Sequence, residues 1–163
     1  MITELPKIIP VLVGGLLAIG GGVAAQVVTH WLSARLEREK LIRQKAEEFI
    51  SALYDHRDWL SDQNSRLVFG TESPEMPSPL DRASAIQELY FPDLSSALAK
   101  INRALVPIIQ FQYENAKARL EDKAKWVETY DSEEFNVLYQ PYLEAFHEAV
   151  EAVVQSVKLR TRI

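Results

Sequence analysis

The chain has 163 residues, a formal net charge of −5 and no cysteine. Without cysteine there are no disulfides and no thiolate metal sites, and the acidic balance argues against nucleic acid as a partner. The length leaves room for one modest domain beside a leading segment of different character.

That leading segment sets the organisation. Residues 1–7 form a short N-terminal stretch, and Ile8 to Leu32, IIPVLVGGLLAIGGGVAAQVVTHWL, carries no formally charged side chain. A bilayer core of about 30 Å needs about 20 mostly apolar helical residues, and lipid offers the backbone no other hydrogen-bond partners. The expectation is a transmembrane helix over 8–32. A buried core helix would carry polar residues along one side. A cleavable signal peptide finds support in Val23-Ala24-Ala25 before Gln26, but MITELPK lacks a positive leading region.

Arg35, Arg38, Lys40, Arg43 and Lys45 follow the run, against Lys7 alone ahead of it. Basic residues collect on the cytoplasmic side, so the expected orientation is a single pass of a bacterial inner membrane, N-terminus outside and residues 33–163 in the cytoplasm. Lys7, Trp31, Arg35, Arg38 and Lys40 are the candidate membrane-interface residues, with Trp31 at headgroup depth.

Gly14, Gly15, Gly20, Gly21 and Gly22 are five of the chain's six glycines. Each costs about 1 kcal/mol relative to alanine in an aqueous helix. Gly14, Ala18, Gly22 and Ala25 share one helical face, and Gly21 lies in the triple-glycine centre. Small residues let helices pack closely in lipid. With one span per chain, such packing is between chains, so the expected partners are the lipid bilayer and further copies of the chain. A ring of such helices permits a narrow apolar path.

Beyond the run, Leu36, Ile42, Ala46, Phe49, Leu53, His56, Leu60 and Leu67 form an amphipathic stripe, so the first helix is predicted to continue to about Val68. GTESPEMPSP, Gly70 to Pro79, marks a loop spanning roughly 69–80. A short helix over about Leu80–Tyr90 follows, started by Ser78 or Asp81. The YFPDL corner comes next, with Asp93 as cap and Phe91 and Leu94 turned into the core. A third helix is predicted from about Asp93 to Glu128, bent near Pro107, with Leu94, Leu98, Ile101, Leu105 and Ile108 inward and Leu120, Ala124 and Val127 continuing that face. The last runs from about Glu133 to Arg160 behind an Asp131–Ser132 cap, with Pro141 kinking it or delaying its start. The predicted class is all-α: a transmembrane helix continuing into a cytoplasmic three- to four-helix bundle.

Chemistry is sparse. The chain holds no P-loop, dinucleotide fingerprint, nucleophile elbow, HExxH or calcium loop. Glu144 and His147 have the Glu-x-x-His spacing of di-iron bundles, which need two copies, and His147 is expected near the surface. His56 lies on the apolar stripe and reads as a satisfied core or boundary histidine. No catalytic residue, cofactor or metal is expected, and the chain is read as a non-enzyme.

In layout, these parts resemble small bacterial proteins with an outward N-terminus, one span, a basic juxtamembrane helix and a helical cytoplasmic domain, some of them in phage-defence loci. Length and order of parts are similar to the membrane accessory protein of certain CRISPR systems, an oligomeric pore. The resemblance covers architecture and no motif, so it transfers no site. It implies a pore-forming or membrane-depolarising antiviral effector. The alternative is a non-enzymatic anchor or scaffold that recruits a cytoplasmic protein through Trp126, Tyr113 or the YFPDL corner.

Overall fold

The computed structural model describes the backbone of residues 5–72, 74 and 76–161, and the side chains of Gly22 and of residues from 25 onward within it. Every element is helical: α1 Leu5–Phe69, α2 Leu80–Tyr90, a 3₁₀ turn at Pro92–Leu94, α3 Ser95–Glu121, α4 Lys123–Thr129 and α5 Ser132–Thr161. No strand occurs among the described residues. Two compact units divide the chain, Met1–Leu41 and Ile42–Ile163.

The first unit is the helical leading segment. The expected span 8–32 has helical backbone throughout. Among the described residues, however, no helix is long and apolar enough to cross a membrane. Most side chains of the uncharged run, including those of Gly14, Ala18 and Gly21, lie outside the described residues, as does Lys7.

The second unit is a four-helix bundle whose directions follow from a few contacts. Lys45 sits over the Tyr90 ring at 5.5 Å, while Arg82 donates to the Glu48 carbonyl, so α2 descends beside α1. Gln112 reaches the Leu60 carbonyl and Arg119 that of Leu67, so α3 rises parallel to α1. Lys100 pairs with Glu148 and Phe111 meets Phe135 at 5.8 Å, so α5 descends beside α3. This up-down-up-down order is the arrangement short connections favour.

Side chains at three- and four-residue steps on each helix meet in one core: Phe49, Leu53 and Leu60 from α1, Ile101 and Ile108 from α3, Tyr142 and Phe146 from α5. Burying each such apolar side chain contributes about 1.5–3 kcal/mol. Phe91 and Leu94 turn inward at the corner as expected, Phe91 packing on Phe49 at 6.4 Å. Asp93 makes no cap bond to α3. It pairs instead with Arg160, which also donates to the Tyr90 carbonyl at 2.6 Å and lies over the Phe91 ring.

The third helix differs most from expectation. It stops at Glu121, and Asp122 adopts an extended backbone (φ −152°, ψ 94°). Its carboxylate accepts the Lys125 amide hydrogen at 3.0 Å, the geometry of an N-cap, and α4 begins there. The break resets the helical phase. Beyond it Val127 is 63% exposed, while Trp126 is turned inward at 8%; Leu120, ahead of the break, is 77% exposed because twelve residues carry it off the face of Ile108. Asp131 caps α5 by accepting from the Glu133 amide at 2.8 Å. Pro107 and Pro141 lie inside uninterrupted helices, so the start of α5 is not delayed.

At the end of α1, Gly70 takes φ 73°, and its amide bonds the Arg66 carbonyl at 3.1 Å. This is the left-handed cap for which glycine carries no side-chain penalty. It turns the chain into the 70–79 loop.

Candidate functional site

Two places on the chain have the makings of a functional surface. The first belongs to the leading unit. Residues from Ala25 to Leu32 are all exposed, and Val27, Val28, Trp31, Leu32 and Leu36 are large apolar side chains among the exposed ones. A Cβ built on Gly22 meets nothing within 4 Å, so intrachain packing does not require glycine there. Thr29 donates to the Ala25 carbonyl at 2.8 Å, which satisfies its hydroxyl without water.

The basic stretch starts at this apolar run. The Arg35 guanidinium lies 5.8 Å from the centre of the Trp31 ring, and its Nε donates to Glu39 at 3.3 Å. Trp31 remains 60% exposed. Arg38, Lys40 and Arg43 are exposed and form no ion pair among the described residues. The exposed apolar side chains thus stand directly ahead of the exposed cations. Of the expected site residues, Gly22, Ala25, Trp31, Arg35, Arg38 and Lys40 thus lie on an open helix surface.

The second place lies within the bundle and was not anticipated. A cleft of about 670 Å³ opens between α1, the 70–79 loop and the start of α2. Trp59 forms part of its wall, and the indole N–H donates to the Met76 carbonyl at 2.8 Å, tying the loop to α1. Asp55, Asp58 and Asp62 recur at three- and four-residue steps along α1, one turn apart on the same face. Asp81 and Arg82 close the other side. Arg82 lies 3.8 Å from Asp55, and Arg57 pairs with Asp58 at 3.0 Å.

Trp59 stacks on His56, with ring centroids 5.4 Å apart. His56 is only 1% exposed, and its Nδ1 lies 2.9 Å from the Tyr142 hydroxyl. Burial pushes the His56 pKa down to about 4, against the pull of Asp81, and burial raises that of Tyr142. The imidazole is therefore neutral at pH 7. This is the satisfied core histidine read from the sequence, now with a named partner.

The other candidates fall away or move. Glu144 and His147 are exposed, and among the described residues no three acidic, histidine or cysteine side chains converge on a metal position. Trp126, expected as an exposed contact, donates its indole N–H to Asn115 at 3.1 Å and packs against Phe69 and Tyr130. Phe91 and Leu94 of the YFPDL corner are buried for the same reason, since their faces complete the core. Tyr113 stays exposed. Comparison with protein-family models, curated proteins and solved structures finds no match in any of the three.

Proposed function

We propose that the protein is a single-pass homo-oligomer of a bacterial inner membrane, with residues 8–32 as its span, the N-terminus outside and the bundle in the cytoplasm. Its spans pack through Gly14, Ala18, Gly21, Gly22 and Ala25, and the assembly permeabilises or depolarises the membrane as an antiviral effector. The observation that carries this reading is the open apolar surface from Val27 to Leu36, which continues the uncharged run and meets the basic stretch at Trp31 and Arg35. In water that surface lacks cover; in lipid it needs none. Gly22, where an added Cβ meets nothing within 4 Å among the described residues, is available to a second helix.

The test joins fractionation to leakage. Full-length protein expressed in bacteria is expected to stay with the membrane after alkaline extraction, and in liposomes to release a trapped dye. Gly22→Leu is expected to abolish release while leaving the protein in the membrane. Extraction into the soluble fraction would overturn the membrane reading; undiminished leakage by the variant would overturn the role of the packed glycines.

A second reading, a membrane anchor that recruits a cytoplasmic partner, draws on the cleft and the exposed Tyr113. Here an unrelated span substituted for 8–32 preserves the phenotype, whereas the effector loses it.

A further inference from the structure

We propose that Val28, Leu32, Arg35 and Glu39 form an interchain seam just beyond the expected span, in which Arg35 of one copy of the chain pairs with Glu39 of the next. The inference rests on the homo-oligomer reading and adds to it the face that meets and the ion pair that sets its register.

The spacing picks out the face. Alternating steps of three and four residues carry one stripe from Ala25 through Val28, Leu32, Arg35 and Glu39 to Ile42. An average step of 3.5 is that of helices packed along a common seam. Further along the sequence the same steps reach Ala46, Phe49 and Leu53, which the bundle's own core covers. In the other direction they reach Gly21, Ala18 and Gly14, positions expected to pack between chains. Between these two stretches, Val28 is 56% exposed and Leu32 48%.

Charge complementarity names the occupant. Within residues 33–40 only Arg35 and Glu39 are half-buried, whereas Glu37, Arg38 and Lys40 are exposed. Arg35 donates to its own Glu39 through Nε alone, at 3.3 Å. Their order, cation ahead of carboxylate, is the less favourable one for an isolated helix. A guanidinium carries five N–H donors in a fork that fits carboxylates. Among the described residues, that one bond and the Trp31 ring are its partners, so the terminal nitrogens are left for a second carboxylate. Opposite charges one turn apart on a single face are complementary to a copy of themselves. Chains inserted with the same orientation lie parallel, and each then offers a carboxylate where its neighbour has spare donors. A lipid headgroup phosphate answers Arg35 but repels Glu39. Placed on an otherwise apolar seam, such a pair costs stability and fixes register.

The chain contains no cysteine, so a single introduced one reports contacts between copies. Full-length protein carrying Leu32→Cys, oxidised mildly in bacterial membranes, is expected to form disulfide-linked dimers. Glu37→Cys, on the opposite side of the helix, is expected to form none. In the Leu32→Cys background, Arg35→Glu and Glu39→Arg should each lose the crosslink. Co-expressed with different tags, these two variants should crosslink to one another, and the double exchange R35E/E39R should recover self-crosslinking. A pair acting only within its own helix would not restore contact between two broken variants. Equal crosslinking through Glu37→Cys, an undiminished crosslink in either single exchange, or no restoration on co-expression would overturn the proposal. Fractionation separates the two ideas: soluble protein with this crosslink pattern overturns the membrane reading alone, whereas membrane-bound protein without it overturns the seam alone.

Discussion

His56 makes the stability of the bundle depend on pH in a narrow, calculable window. Its folded-state pKa is pushed down to about 4 by burial, from an ordinary value of 6.5. Between those values the unfolded chain binds the proton and the folded chain does not. Stability is therefore full above the unfolded value and falls as pH drops toward the folded one. From pH 7 to pH 5 the loss amounts to about 2 kcal/mol, since each pKa unit is worth about 1.4 kcal/mol. Glu48 is held below the ordinary carboxylate value, chiefly by its hydrogen bond from Lys45. Asp93 is lowered too, where burial pulls upward but Ser156 and Arg160 prevail. Tyr142, raised by burial, titrates far above this window. The assay is urea unfolding followed by tryptophan fluorescence at the two pH values. With a slope of about 1–3 kcal/mol per molar urea, the midpoint should fall by roughly 1 M. His56→Gln is expected to be less stable at pH 7, having lost the stack on Trp59, yet to show a far smaller drop at pH 5. An unchanged wild-type midpoint, or an equal drop in the variant, would refute the assignment.

Other substitutions probe the elements that place the cleft and the bundle. Gly70→Ala forces a left-handed residue and sets a Cβ 2.7 Å from the Arg119 guanidinium; unfolding free energy should drop by about 1–2 kcal/mol. Asp122→Ala removes the cap of α4 and should cost about 1 kcal/mol, with faster hydrogen exchange concentrated around Trp126. Phe146→Ala empties a core position packed edge-on against Tyr54 and should cost about 3–5 kcal/mol in denaturant unfolding. Leu120→Ser, at a position the periodicity alone would bury, should change stability by less than about 0.5 kcal/mol.

The bundle was legible wherever a helix kept one phase. The stripe from Ile42 to Leu60, the inward set Leu98, Ile101, Leu105 and Ile108, and Tyr142 with Phe146 on α5 all occupy the expected core. Periodicity failed at Asp122, where neither proline nor glycine announces a break. A single carboxylate folding onto the Lys125 amide reset the phase and exchanged Val127 for Trp126. The cleft was illegible for a different reason. Asp55, Asp58 and Asp62 read as an ordinary solvated helix face, and the bond from Trp59 to Met76, 17 residues on, ties the loop beside them. His56 was readable as a core histidine, but its partner lies 86 residues away, a distance no local pattern reports. The apolar run was plain in composition.

The grip of Arg160 on the corner also orders events during synthesis. The carbonyl of Tyr90 and the carboxylate of Asp93 are held by a residue translated 70 and 67 positions later. Until α5 has emerged, the core that holds Phe49 and Ile101 lacks Tyr142 and Phe146. Closure of the corner and completion of the core therefore both wait on α5.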